Sequence, residues 1–167
     1  TPEYLTVNAG SGAVLFSEAV GSSSPSAIDK LGAVVINSSG DTTFTKTVDA
    51  TTLTTDAGGT VVIKGGRITT SGVQSYGDAV VLSDATTLDG SALSFANTVM
   101  SDSATARNLT LYARNGNATF NAAVGSAIAP IGQFTVTAAN DTVFNDLVTV
   151  AHLQTGTTGT TKFNTSK

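Results

Sequence analysis

Cysteine is absent from the 167 residues, which excludes disulfide scaffolds and thiolate metal sites. Tryptophan is absent too, and there are only one histidine, one methionine and three prolines. Charged residues make up 12%, about half the usual share. The net charge is −4 and no Lys/Arg cluster exists, so neither nucleic acid nor an anionic membrane surface is an expected partner. No apolar run approaches membrane-span length and no basic-then-apolar segment opens the chain, so membrane insertion is not expected. Apolar spacing is two rather than 3.6, so no helix is expected. Ala27–Ala33 is the one stretch worth considering as a helix, and it is too short to stand alone.

Thr, Ser, Asn, Gly and Ala fill the space that charges leave. That composition suits β structure with tight turns. It is also repetitive. Residues 31–66 return one hundred residues later without a gap. Gly32, Asp41, Thr42, Phe44, Val48, Leu53, Thr55, Gly59 and Thr60 fall on Gly132, Asp141, Thr142, Phe144, Val148, Leu153, Thr155, Gly159 and Thr160. Residues 5–22 match 109–126 at an offset of 104. The four extra residues belong between Ser23 and Lys30, in an expected surface loop with Pro25. The chain therefore reads as one segment, 1–167, with a long repeat of about one hundred residues: 5–104, then an incomplete copy over 105–167. It opens in repeat phase and stops inside a repeat, so an excised piece of something longer is the expectation.

A shorter period lies inside the long one. Phe16, Phe44, Phe95, Phe120 and Phe144 are each followed four residues later by a valine: Val20, Val48, Val99, Val124 and Val148. Ile63 and Phe163 take the Phe place in their own turns. The average spacing is about 25 residues, a period proper to solenoids and other repeat arrays. Asn, Asp and Gly turns precede most of these positions, and β-branched runs precede the turns. A unit of that size cannot bury an apolar face alone. Stacked coil on coil, it can. The expected fold is all-β: a right-handed parallel β-helix of about seven coils, with those twelve residues as its inner ladder. Tandem β-sandwich modules of about one hundred residues are the alternative. They account for the long period and not for the short one.

Residues 69–99, TTSGVQSYGDAVVLSDATTLDGSALSFANTV, resemble repeats of the filamentous-haemagglutinin-like, β-strand-repeat adhesins of bacterial surfaces. LTVNAG at 5–10 and GDTTFTKTVDATTLTTDAGGT at 40–60 are similar to the same repeat type. The resemblance implies a parallel β-helix, an exported or cell-surface location and a structural or adhesive role. It brings no catalytic residues.

Candidate chemistry is thin. His152 has no visible carboxylate and nucleophile to form a triad. Asp41 and Asp141 recur at equivalent turns and are the weak candidates for Ca²⁺; the G-G-x-G-x-D motif is missing, and an Asx turn is the favoured reading. Arg67, Arg107, Arg114 and Lys64 would serve a polysaccharide-cleaving site only if coil stacking brought them together. Thr43/Thr45/Thr47, Thr52/Thr54 and Thr135/Thr137 could form a flat array for ice or glycan, against the ordinary reading of solvent-facing strand threonines. Asn37, Asn108, Asn117, Asn140 and Asn164 open N-x-S/T sequons. Tyr4, Tyr76 and Tyr112 are scattered. The expectation is a non-enzymatic segment, without cofactor, of an extracellular or cell-surface protein, serving as stalk, adhesin body or filament subunit. Its expected partners are further copies stacked end to end, with a host or matrix glycan as a further candidate. A glycan-binding or polysaccharide-cleaving β-helix is the alternative.

Overall fold

A computed structural model describes residues 3–21, 31–138, 140–156 and 158–164. The expected loop at 23–30, and most of 27–33, lie outside them. Among the described residues there is no helix. All strand pairs are parallel, and the chain winds into a β-solenoid of about seven turns.

In chain order the strands are β1 (Leu5–Gly10), β2 (Val14–Phe16), β3 (Leu31–Ser38), β4 (Asp41–Phe44), β5 (Val48–Thr55), β6 (Thr60–Ile63), β7 (Arg67–Thr70), β8 (Gln74–Tyr76) and β9 (Ala79–Leu82). Then come β10 (Thr86–Gly90), β11 (Leu93–Phe95), β12 (Val99–Ser101), β13 (Arg107–Ala113), β14 (Ala118–Phe120), β15 (Ile131–Ala138), β16 (Thr142–Phe144), β17 (Val150–Thr155) and β18 (Thr161–Phe163). They sort into three stacks. Stack A is the five-stranded sheet β2-β4-β6-β9-β12. Stack B is β8-β11-β14-β16-β18, and stack C is β7-β10-β13-β15-β17. β5 joins the two, with Leu53–Thr55 pairing β8 and Val48–Ala50 pairing β7. β3 and β1 lie beneath β5.

Alternation puts every second side chain inward, so equivalent positions form vertical ladders. In stack A the ladder is Phe16, Phe44, Ile63, Leu82, Ser101. In stack B it is Tyr76, Phe95, Phe120, Phe144, Phe163, continuing down through Thr55, Ile36 and Val7. Rings lie face to face with centroids 5.1, 4.8, 5.0 and 5.0 Å apart up the stack-B ladder. That is close to the strand spacing of about 4.8 Å, so the backbone ladder sets the ring stacking.

Coil length is uneven. The chain takes a shorter path from Tyr76 to Phe95 than from Phe95 to Phe120, although each step climbs one rung. The longer steps carry excursions at the corners. Gly21 and Gly125, matched in the repeat, show why glycine stands there. Both have left-handed φ, +75° and +69°, and an added Cβ would sit 2.0 Å from the carbonyl oxygen of Asp49 or Thr149 in the next coil.

Candidate functional site

Most of the residues picked out in the sequence face inward. Phe44, Val48, Ile63, Phe95, Val99, Phe120, Val124 and Phe144 are buried, as is Val20. Phe16 and Val148 are half-buried, and Phe163 is 53% exposed at the upper end. These residues do not form one ladder. Phe16, Phe44 and Ile63 belong to stack A, whereas Phe95, Phe120, Phe144 and Phe163 belong to stack B. The valines shift with them. Val20 and Val48 lie in line with Ile68 of stack C, whereas Val99, Val124 and Val148 line up above Val80 of stack A. Sequence reasoning missed Tyr76 and Leu82. Tyr76 has no exposed surface and holds the Phe place of its coil.

Tyr76 brings a polar group into the core. Its hydroxyl donates to Gln74 Oε1 at 2.8 Å, and Gln74 Nε2 donates to the carbonyls of Ile68 and Asp89 at 3.2 and 3.0 Å. Both side chains are fully buried. Burial pushes the Tyr76 hydroxyl well above its ordinary pKa. A hydroxyl so placed pins the Gln74 amide, which in turn ties the runs of Ile68 and Asp89.

The polar candidates are dispersed. His152 is exposed on β17 beside Gln133. Asp41 is exposed at the start of β4, on the corner leading into stack A. Asp141 lies on the corner leading into stack B, where Oδ1 accepts from the Thr160 amide at 3.1 Å and Oδ2 pairs with Lys162. The Lys162 ammonium holds the Asp141 carboxyl below its usual range. The two aspartates are not brought together, and among the described residues no three His, Cys, Asp or Glu side chains converge on a metal-sized site. Arg107 pairs with Asp102 at 3.1 Å, Arg114 with the buried Asp89, and Arg67 Nε donates to Thr69. Lys64 is exposed at a separate corner. The threonines scatter as well: Thr43 faces outward on stack A, Thr54 lies in line with stack B, and Thr135 and Thr137 are on stack C.

Amides line one corner instead. Asn145 Nδ2 donates to Asn121 Oδ1 and Asn164 Nδ2 to Asn145 Oδ1, both at 2.8 Å. Near the lower end Asn37 Nδ2 donates to Asn8 Oδ1 at 2.7 Å. Among the sequons, Asn37 is half-buried in that bond, and Asn108, Asn117, Asn140 and Asn164 are exposed. Asn108 Oδ1 caps the Gln133 amide, and Asn117 Oδ1 caps that of Asp141.

The outer surface has one open trough of about 410 Å³, lined by Tyr112, Ala113, Arg114, Thr137, Ala138 and Thr158. Arg114 stands over the Tyr112 ring at 5.9 Å. A second, of about 270 Å³, runs along Val73, Ser75, Ala92, Ser94, Asn117 and Thr119. The outward row of stack A is Leu15, Thr43, Val62, Val81, Met100, more apolar than the outward row Ser75, Ser94, Thr119, Val143, Lys162 of stack B. At the lower end Leu5, Val7, Val14 and Phe16 are only partly covered, and at the upper end Val150, Leu153 and Phe163 are. Compared with family models, curated proteins and solved structures, the chain matches none of them.

Proposed function

We propose that this chain is a non-enzymatic shaft segment of an exported bacterial surface or extracellular protein, the body of a stalk, adhesin or filament. The observation that carries the reading is the unbroken inner ladder running from end to end and finishing in uncovered rungs. Phe163 stacks on Phe144 and remains 53% exposed, and Val7 and Phe16 are only partly buried. Unpaired strand edges and bare ladder rungs are best covered by more of the same coil, whether further repeats or a second copy. The arginines are engaged by partners within the fold, among the described residues no three His, Cys, Asp or Glu side chains converge, and the resemblance of residues 69–99 to adhesin repeats supports export.

Small-angle scattering across a concentration series tests this. A column of seven coils is roughly 35 Å tall at the β spacing, or about 45–55 Å with its loops. Growth in length at constant cross-section supports end-to-end stacking. Growth in cross-section would instead point to the row around Val62 and Val81. An unchanged particle at every concentration would sink the self-associating filament.

A second reading, glycan binding, is favoured by the trough at Tyr112, where an aromatic face, a guanidinium and the Thr137 and Thr158 hydroxyls share one surface. Tyr112→Ala should abolish glycan-array binding while leaving the melting curve in place. An array blank for the native chain would remove this reading.

A further inference from the structure

The corner between stacks B and A differs between the upper and middle coils. Upward from Phe120 it is lined by Asn121, Asn145 and Asn164, where Asn145 donates to Asn121 and accepts from Asn164, so stacked amides satisfy one another. In the middle coils the corner holds Asp56 after Thr55 and Asp78 two residues after Tyr76, in adjacent coils. Each clamps the coil beneath with one oxygen. Ser38 N–H donates to Asp56 Oδ1 at 2.9 Å, and Gly59 N–H donates to Asp78 Oδ1 at 2.7 Å. Ionised carboxylates only accept, so two of them stacked cannot complete each other as amides do. Asp78 is 1% exposed and its Oδ2 has no hydrogen-bond partner. None of the ion pairs among the described residues involves either aspartate. A buried carboxylate with one oxygen short of a well-formed hydrogen bond, beside a second negative charge, is a costly arrangement. Burial first, and to a lesser degree the Asp56 charge, push the Asp78 carboxyl above its ordinary range, against the Gly59 amide and the Thr55 hydroxyl, which pull it down.

We propose that Asp56 and Asp78 hold a divalent metal cation, Ca²⁺ by preference, which bridges the two coils at this corner. The donors nearby are all oxygen. Gly77 packs so closely on the coil below that a Cβ there would lie 2.2 Å from the Asp56 carbonyl oxygen, which places that carbonyl against the Gly77–Asp78 segment. Thr55 Oγ1 lies 3.4 Å from the Asp78 amide. Two carboxylates, a carbonyl and a hydroxyl, completed by water, form a hard set without nitrogen or sulfur, which suits Ca²⁺ over zinc or copper. With so few charged ligands the affinity should fall in the weak class, a Kd on the order of 10⁻⁴–10⁻³ M. The cation would take the place that the Nδ2–Oδ1 bonds fill higher up.

Thermal melting of the whole chain, with Ca²⁺ titrated against an EDTA reference at neutral pH, tests the proposal. Isothermal titration with CaCl₂ runs beside it. Ca²⁺ should raise the midpoint, with Mg²⁺ raising it less. Asp78→Asn and Asp56→Asn should each lose the Ca²⁺ response, because a single amide can donate to the remaining carboxylate. Asp141→Asn, on a different corner, should keep it. If Asp78→Asn fails to fold, Asp56→Asn carries the comparison. A native midpoint indifferent to Ca²⁺ at roughly tenfold above that Kd range, with no heat of binding, overturns the proposal. Stability that rises on acidification and ignores Ca²⁺ also overturns it, and assigns a proton as the partner of Asp78 Oδ2.

Discussion

Phe44 and Phe144 hold the same place in the long repeat and different places in the column. In the lower coils the strand–turn–strand unit crosses into stack A, so Phe16 and Phe44 stack there and Val20 and Val48 begin the next run. In the upper coils the same unit crosses into stack B, and its valines fall on stack A. The unit has turned by one face. The reason lies in summed coil lengths. Above Ile36 the stack-B rungs are Thr55, Tyr76, Phe95, Phe120 and Phe144. The repeat partner of Ile36 is Val136, which falls between the last two of these in the chain and sits on stack C, in line with Leu111. The long repeat is therefore not a whole number of coils. The unit is a portable corner, and the inner space accepts phenylalanine on either stack. The lower ladder is mixed, passing from Phe44 to Ile63 and Leu82, whereas the upper is aromatic from Tyr76 to Phe163.

Truncation should separate the halves most sharply. Phe120 is sandwiched between Phe95 and Phe144 and meets Phe134 edge-on. Phe120→Ala should cost about 3–5 kcal/mol in denaturant unfolding. Phe44→Ala should fall at the low end of that range, because aliphatic Ile63 above it closes more readily over a gap. Phe163→Ala, at a half-open rung, should cost under about 1 kcal/mol. Equal losses at Phe120 and Phe163 would mean that the end rung is covered in solution, which would itself point to stacking.

A smaller effect should mark where the two regimes meet. Tyr76 is the lowest aromatic rung of stack B, resting on Thr55, and its hydroxyl satisfies Gln74. Tyr76→Phe keeps the ring stack and strands the buried Gln74 Oε1, a loss of about 1–3 kcal/mol. A neutral outcome would show that water reaches the amide.

Much of this was legible in the chain. Period-two alternation, the Asx and Gly turns and the recurring F-x-x-x-V gave parallel coils and their inward face, because each is local chemistry that any coil must satisfy. The assignment of each coil to a stack was not legible. It depends on the running sum of corner lengths, and a few residues at corners such as Ser39–Gly40 or Ser103–Ala106 shift every later rung. Tyr76 could have been found: Ser75-Tyr76 with Val80 is repeated one coil on by Ser94-Phe95 with Val99, and a tyrosine hid the pattern. Gln74 had no such signal, since its partners are carbonyls of neighbouring runs. Nor did the corner aspartates. Asp41 and Asp141 stood out because they recur, but a repeat turned by one face puts them on different corners. Asp56 and Asp78 do not recur, and only stacking makes them neighbours.

The smallest effect sharpens the upper half alone. Asp141 ties β16 to the last coil through the Thr160 amide and Lys162, and that ammonium first, then the amide, holds its carboxyl below the ordinary value. An acid whose folded pKa is depressed contributes stability that is present above its unfolded pKa of about 3.9 and is lost as pH falls through the lower folded value. The pair is exposed, so acidification should loosen β18 locally and leave the column folded. Amide exchange at Thr160 and Lys162 should quicken at acid pH relative to Phe144, beyond what intrinsic exchange predicts, and Asp141→Asn should show that quickening already at neutral pH. Uniform protection of β16 and β18 across that pH range would mean that the last coil is held by its Phe144–Phe163 stack, and that the ion pair contributes nothing measurable.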